Sequence, residues 1–365
     1  MSCLLFGRII MAKNKKRIWY LDYLRILAIW GVITIHVVTS LNYYKLKKSS
    51  FDWQVLNFWD GLSRFCVPIF IMISGSLFLN PNFELSFKKL FSKYLSKLLG
   101  VYIFWQLFYC TWYSLVKGGD LVTFFKLLIG SYDHLWYLPM IMGLYLVTPL
   151  LRQITKRESY TEYFLGLAFI FAVLLPTSLK FISVISSSLP KHTMDAVNAV
   201  NRLLGKLNIK IVMGYTGYYV AGFYFSHSNL QKRHLMIVEI LGALGGIGTV
   251  LLSSYLTVKT GHLQLMFYSY NSLTVMLESC AIFIYFVQKK FIPKNRLLLK
   301  EVSNSVFGIY LLHPFILYYL LKLPLIAGLA VYTEFLPIVS LIVLIITLVV
   351  VLGLRKIPFI RKHLM

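Results

Sequence analysis

The chain has 365 residues, of which 58% are hydrophobic and 14% charged. That balance excludes an ordinary soluble globule and fits a polytopic membrane protein. The net charge of +24 would suggest nucleic acid in a soluble protein. Here the basic residues fall in short loops between apolar runs, so they read as topology determinants and lipid-headgroup contacts, and no nucleic acid is expected.

In chain order, the first ten residues are too short for a secretory signal and lack a cleavage site. Met11, followed by Ala-Lys-Asn-Lys-Lys-Arg17, looks like a second possible start with its own basic flank. Residues 1–17 are expected to be a basic cytoplasmic segment, 18–353 one transmembrane domain, and 354–365 a basic cytoplasmic tail. About ten apolar runs reach spanning length: 18–38, 63–80, 98–116, 136–151, 163–179, 211–226, 235–257, 267–287, 304–321 and 335–353. The fold class is therefore an all-α integral membrane protein of about ten helices. Clusters such as Lys88, Lys89, Lys93 and Lys97, or Lys289, Lys290, Lys294 and Arg296, alternate with more weakly basic segments. This bias places both termini in the cytoplasm. Cys3, Cys66, Cys110 and Cys280 have neither disulfide nor metal spacing, and no metal is expected. The glycines of Gly242-Ala-Leu-Gly-Gly-Ile-Gly lie in an apolar run, where small residues permit close helix packing rather than phosphate binding.

The first run carries Asp22, Arg25 and His36 at hydrocarbon depth, where ionisable groups are costly and face a protein interior or a water-filled cavity. Arg25 and His36 are eleven residues apart, roughly 20° past three helical turns and roughly 16 Å along the axis. They share a face, and Asp22 can pair with Arg25 from nearly the same side. His36 has the unperturbed chemistry of a general base. The plain alternative is that Arg25 neutralises Asp22 and His36 is an interfacial histidine.

The second run opens with Gly61-Leu-Ser-Arg64 and continues through Pro68 to Ser74-Gly75. Arg64 either snorkels to outer headgroups or meets substrate; Ser74-Gly75 offers close packing or a hydroxyl donor. Asp133-His134-Leu-Trp136-Tyr137 forms an aromatic lip at the fourth run, suited to a sugar ring or to an interfacial belt. Glu278, mid-run, needs a proton or a partner, with His313 and Arg25 as candidates. In Tyr310-Leu-Leu-His313-Pro314, the proline removes a helical donor and frees the Tyr310 carbonyl. His313 suits a structural bond to a neighbouring helix or a catalytic role.

By these stretches the chain resembles the membrane-bound acyltransferase-3 superfamily. Arg25 and His36 match its Arg-x10-His signature; Arg64-Phe-Cys-Val-Pro68 to Gly75, His134-Leu-Trp136 and Phe307-Gly-Ile-Tyr310-Leu-Leu-His313-Pro match later blocks. It looks closest to the branch similar to the enterobacterial common antigen O-acetyltransferase. The resemblance implies cytoplasmic acetyl-CoA as donor with no bound cofactor, and a cell-surface or lipid-linked glycan hydroxyl as acceptor. Arg25 and His36 are the catalytic pair it implies; Asp22, Arg64, Ser74, His134, Trp136, Glu278, Tyr310 and His313 are expected to contact donor or substrate. Two features depart from the family. An Arg-x-x-Arg pair found in many members is replaced by lysines at Lys88, Lys89, Lys93 and Lys97, which lose bidentate phosphate geometry. The extracellular hydrolase-like domain of the peptidoglycan enzymes has no counterpart in the residues after Gly353, so the chain is expected to act directly or with a separate extracellular partner. Succinyl transfer, and a transporter or flippase of a polysaccharide intermediate, are the competing readings. The expected location is the cell membrane.

Overall fold

The computed structural model describes residues 17–41, 43–130, 132–185, 195, 198–200, 202, 209–289 and 291–364. The basic segment before Arg17, the choice between Met1 and Met11, Cys3, and outer-loop lysines such as Lys191 and Lys206 lie outside the described residues. Within them every regular element is helical. The helices are α1 (Trp19–Ser40), α2 (Phe51–Gly61), α3 (Cys66–Phe78), α4 (Phe87–Lys89), α5 (Ser96–Lys117), α6 (Leu121–Gly130), α7 (Tyr137–Ile154), α8 (Glu158–Ala168) and α9 (Leu175–Ile185). They continue as α10 (Ile209–His227), α11 (Lys232–Thr260), α12 (Leu273–Lys289), α13 (Arg296–Leu320), α14 (Pro324–Val331), α15 (Leu336–Leu354) and α16 (Pro358–His363). π-helical turns at Leu90–Leu95 and Phe169–Leu174 join α4 to α5 and α8 to α9.

Each apolar run of the sequence overlaps a helix over most of its length. By length and apolarity six segments among the described residues can cross a membrane, and a seventh if α13 and α14, bent by 94°, count as one span. The others fall short because polar groups or length dilute the apolar window. α12 is only 17 residues long, and α10 carries Tyr215, Tyr218, Tyr219 and Tyr224.

Three differences from the sequence expectation matter. Residues 51–61, which fall between the first two apolar runs, form α2, capped by Ser50 Oγ accepting from Trp53 N–H. Residues 121–130 form α6, also unanticipated. The eighth run does not begin as helix at 267. Turn bonds such as Tyr268 N–H to Leu265 O and Ser272 N–H to Ser269 O occupy 265–272, and α12 starts only after Ser272, whose hydroxyl accepts from Val275 N–H.

α1 and α3 sit at the centre. Every residue of α3 is buried, and α1 packs against α3, α13 and α15. A Cβ on Gly75 would lie 1.7 Å from the Tyr219 carbonyl oxygen, and one on Gly222 2.0 Å from that of Met72. Only glycine at both positions lets α3 and α10 cross so closely, as Ser74-Gly75 suggested. Likewise a Cβ on Gly242 would meet Ala281 Cβ at 2.2 Å and one on Gly245 the Thr274 carbonyl at 2.5 Å, locking α11 onto α12. Exposed leucines and isoleucines lie on the outer helices α11 and α15. The polar groups of α1 are thereby held inside the protein.

Candidate active site

Two polar layers are stacked along α1. In the inner one Asp22 is fully buried and accepts from four directions. Arg17 donates through Nε (2.6 Å) and an Nη (2.9 Å), Arg25 through an Nη (2.8 Å), and Ser303 of α13 through its hydroxyl (2.6 Å). Two guanidiniums thus share one carboxylate, leaving the layer with an excess positive charge. Arg25 is 4% exposed, and its Nε has no hydrogen-bond partner among the described residues.

The outer layer holds three histidines. The His36 ring centroid lies 4.9 Å from that of His313 and 6.3 Å from that of His134, and the latter two are 5.7 Å apart. The His313 Nδ1 contacts the Tyr310 carbonyl (2.8 Å) that Pro314 frees and the Ile309 carbonyl (3.1 Å). Both ring nitrogens of His134 are buried, with the Leu311 backbone beside the ring. Tyr109 of α5 packs edge-on against His134 at 4.7 Å and donates its hydroxyl to the Leu311 carbonyl (2.7 Å). Tyr310 donates to the backbone carbonyl of His134, tying α13 to the turn before α7. The rings do not form a metal-ligand set: among the described residues no group of three or more His, Cys, Asp or Glu has that geometry.

His36 lines a cleft with about 570 Å³ of empty space, its open mouth included. Val32, Val67, Phe70, His134, Trp136, Tyr137, Tyr270 and Tyr310 share its wall. The Trp136 ring lies 5.9 Å from both Tyr270, stacked at 22°, and Tyr215, tilted at 34°. Arg25 does not line this cavity. A series of hydroxyls spans the gap: Tyr137 at the cavity wall, then Ser74 against both Tyr137 and Tyr145, then Tyr145 beside Arg25. Ser74 itself donates to the Phe70 carbonyl (3.0 Å).

Against this geometry, a family model for an acyltransferase domain matches residues 18–354. The chain belongs to the acyltransferase-3 family. No curated protein and no solved structure matches it. The match supports a membrane acyltransferase, and the apolar helices agree with it.

Within this acyltransferase the expected residues separate into groups. His36, His134, Trp136 and Tyr310 line the cavity, with His313 directly behind His36. Asp22, Arg25 and Ser74 lie below it. Arg64 does not snorkel to headgroups. It is clasped at both oxygens of buried Asp60 (2.6 and 2.7 Å), with its guanidinium 4.8 Å from the Tyr268 ring centroid. Asp60 lies between the first two apolar runs, where spacing alone does not mark it as a partner. Glu278 bonds neither His313 nor Arg25. α12 faces its carboxyl toward Gly246 of α11, with Oε2 unpartnered among the described residues. Tyr137 belongs to the aromatic lip named from the sequence, whereas Tyr109, Tyr268 and Tyr270 are site residues that sequence reasoning missed. Their only signal is the density of tyrosine near the outer ends of the runs. Cys66 and Cys110 are buried free thiols, and Cys280 is a partly buried one.

Proposed function

We propose that this acyltransferase moves an acetyl group from cytoplasmic acetyl-CoA to a hydroxyl of a cell-surface or lipid-linked glycan, through a bundle of ten spans in the cell membrane with both termini cytoplasmic. The observation that carries the reading is His36 on the wall of an aromatic-lined cavity, on the same helix as the charge-unbalanced layer around Arg25. The excess positive charge draws an anionic donor, and Arg25 retains guanidinium donors to hold it. Lys88 and Lys93, both exposed, offer phosphate contacts at the inner surface. The ring of Tyr94, beside Lys93, reaches Phe78 and Tyr145 and so connects that surface to the inner layer.

The pantetheine arm then follows the hydroxyl series past Ser74, parting Tyr145 and Tyr137, to bring the thioester under His36. Trp136 and Tyr270 stack on the acceptor sugar. His36 takes the proton of the acceptor hydroxyl as its oxygen attacks the thioester carbon. The C–O bond forms, the C–S bond breaks, and the proton passes from His36 to the departing thiolate. In a two-step variant His36 carries the acyl group itself. The sequence resemblance favours the enterobacterial common antigen branch, direct action on the acceptor, or hand-over to a separate extracellular partner.

The test is to incubate purified protein with acetyl-CoA labelled in the acetyl group and with candidate glycans, following thiol release and label in glycan. Label in glycan with stoichiometric thiol release supports the reading. Glycan movement across vesicles without thiol release would replace it with a flippase, and faster turnover of succinyl-CoA would change the donor.

A further inference from the structure

Beyond His36 itself, the outer layer contains a buried acceptor atom with no bonding role in the fold. His313 is 0% exposed. Its Nδ1 contacts two backbone carbonyls, and carbonyls only accept, so Nδ1 carries the ring proton. The Tyr310 carbonyl is available for this because Pro314, four residues later, has no N–H to give it. With Nδ1 protonated, Nε2 of the neutral ring is a lone pair. That atom is buried and, among the described residues, has no partner. The closest histidine ring is His36, edge-on at 4.9 Å, and His134 is farther at 5.7 Å. A buried acceptor beside an imidazole that has two nitrogens is the arrangement that fixes a tautomer.

We infer that His313 is a positioning residue for His36: with the two rings edge-on at 4.9 Å, its free Nε2 is the acceptor that one His36 N–H reaches as the rings close, leaving the other nitrogen as a lone pair facing the cavity. When that lone pair takes the acceptor hydroxyl's proton, the charge formed on His36 is shared through the same bond. The proton returns to the thiolate from the cavity-facing nitrogen, so His313 keeps its own proton throughout. This deepens the acyl-transfer reading and rests on it for the kinetics.

The test has an arm without turnover. Solid-state NMR of the wild-type protein in lipid, labelled with ¹⁵N-histidine and assigned by comparison with His36→Ala, should show His313 protonated at Nδ1 only. It should also show its Nε2 bonded to a His36 N–H. A His313 ring protonated at Nε2 overturns the inference. In the kinetic arm, His313→Asn keeps an amide donor near the Tyr310 carbonyl and removes the distal acceptor, whereas His313→Gln offers an oxygen near the Nε2 position. Expected are a kcat lower by about 10²-fold for Asn with both KM values within about twofold, and partial recovery for Gln. Wild-type kcat in His313→Asn overturns the inference while leaving His36 catalysis standing. Coupled rings in a protein that never releases thiol would sink the acyl-transfer reading instead.

Discussion

The two polar layers on α1 are built from the same helix face but end in opposite states. Around Asp22 almost every polar group is bonded, by Arg17, Arg25 and Ser303. Around His36 the Nε2 of His313 is buried and unpaired among the described residues. Unpaired buried polar atoms cost stability and persist where a ligand or a reaction uses them. The inner layer is a charged anchor that also attracts; the outer layer is poised for chemistry. A third cluster sharpens the contrast: Arg64 and Asp60 form a one-to-one pair, so they add little net charge to the mouth and tie the end of α2 to the turn that leads into α3.

Substitutions should separate the layers. His36→Ala should lower transfer by about 10²- to 10⁴-fold, with thermal unfolding in detergent little changed. Asp22→Ala should do the reverse first. It leaves the buried Arg25 and the part-buried Arg17 without a counter-charge and is expected to cost about 3–5 kcal/mol of stability, read as a lower unfolding temperature or loss of folded protein. Arg25→Lys keeps the charge and loses the planar fork. It should raise the KM for acetyl-CoA by about tenfold while leaving folding intact. The smallest effect belongs to the lip: Trp136→Ala should raise the acceptor KM a few-fold, about 1 kcal/mol of lost stacking, with the donor KM unchanged. Equal effects on both KM values would place Trp136 in the fold and not on the sugar.

Much of this was legible in the chain. Polar residues on the first run could only be tolerated facing inward, and Arg25 and His36 do so because their eleven-residue spacing keeps them on one face. The glycines 75, 242 and 245 announced close helix crossings and deliver them. The partners were not legible. α2 has too many polar residues to register as a helix near the membrane, so Asp60 stayed hidden and Arg64 reads from sequence as meeting headgroups or substrate. Glu278 faces Gly246 and not a charge because helix rotation is set by packing, which no single run encodes. Tyr268 and Tyr270 belong to an apolar run whose turn is decided by Ser272 capping α12, and an apolar run alone does not show where a helix starts.

The central claim is that a donor entering beside Arg25 reaches an acceptor at His36 across the bilayer. The direct measurement seals labelled acetyl-CoA inside proteoliposomes and supplies glycan acceptor only outside, with the protein oriented so that its lysine-bearing surface faces inward. The account predicts label in the outside glycan for wild-type protein and none for His36→Ala. Label confined to the interior, or equal labelling by His36→Ala, would contradict it.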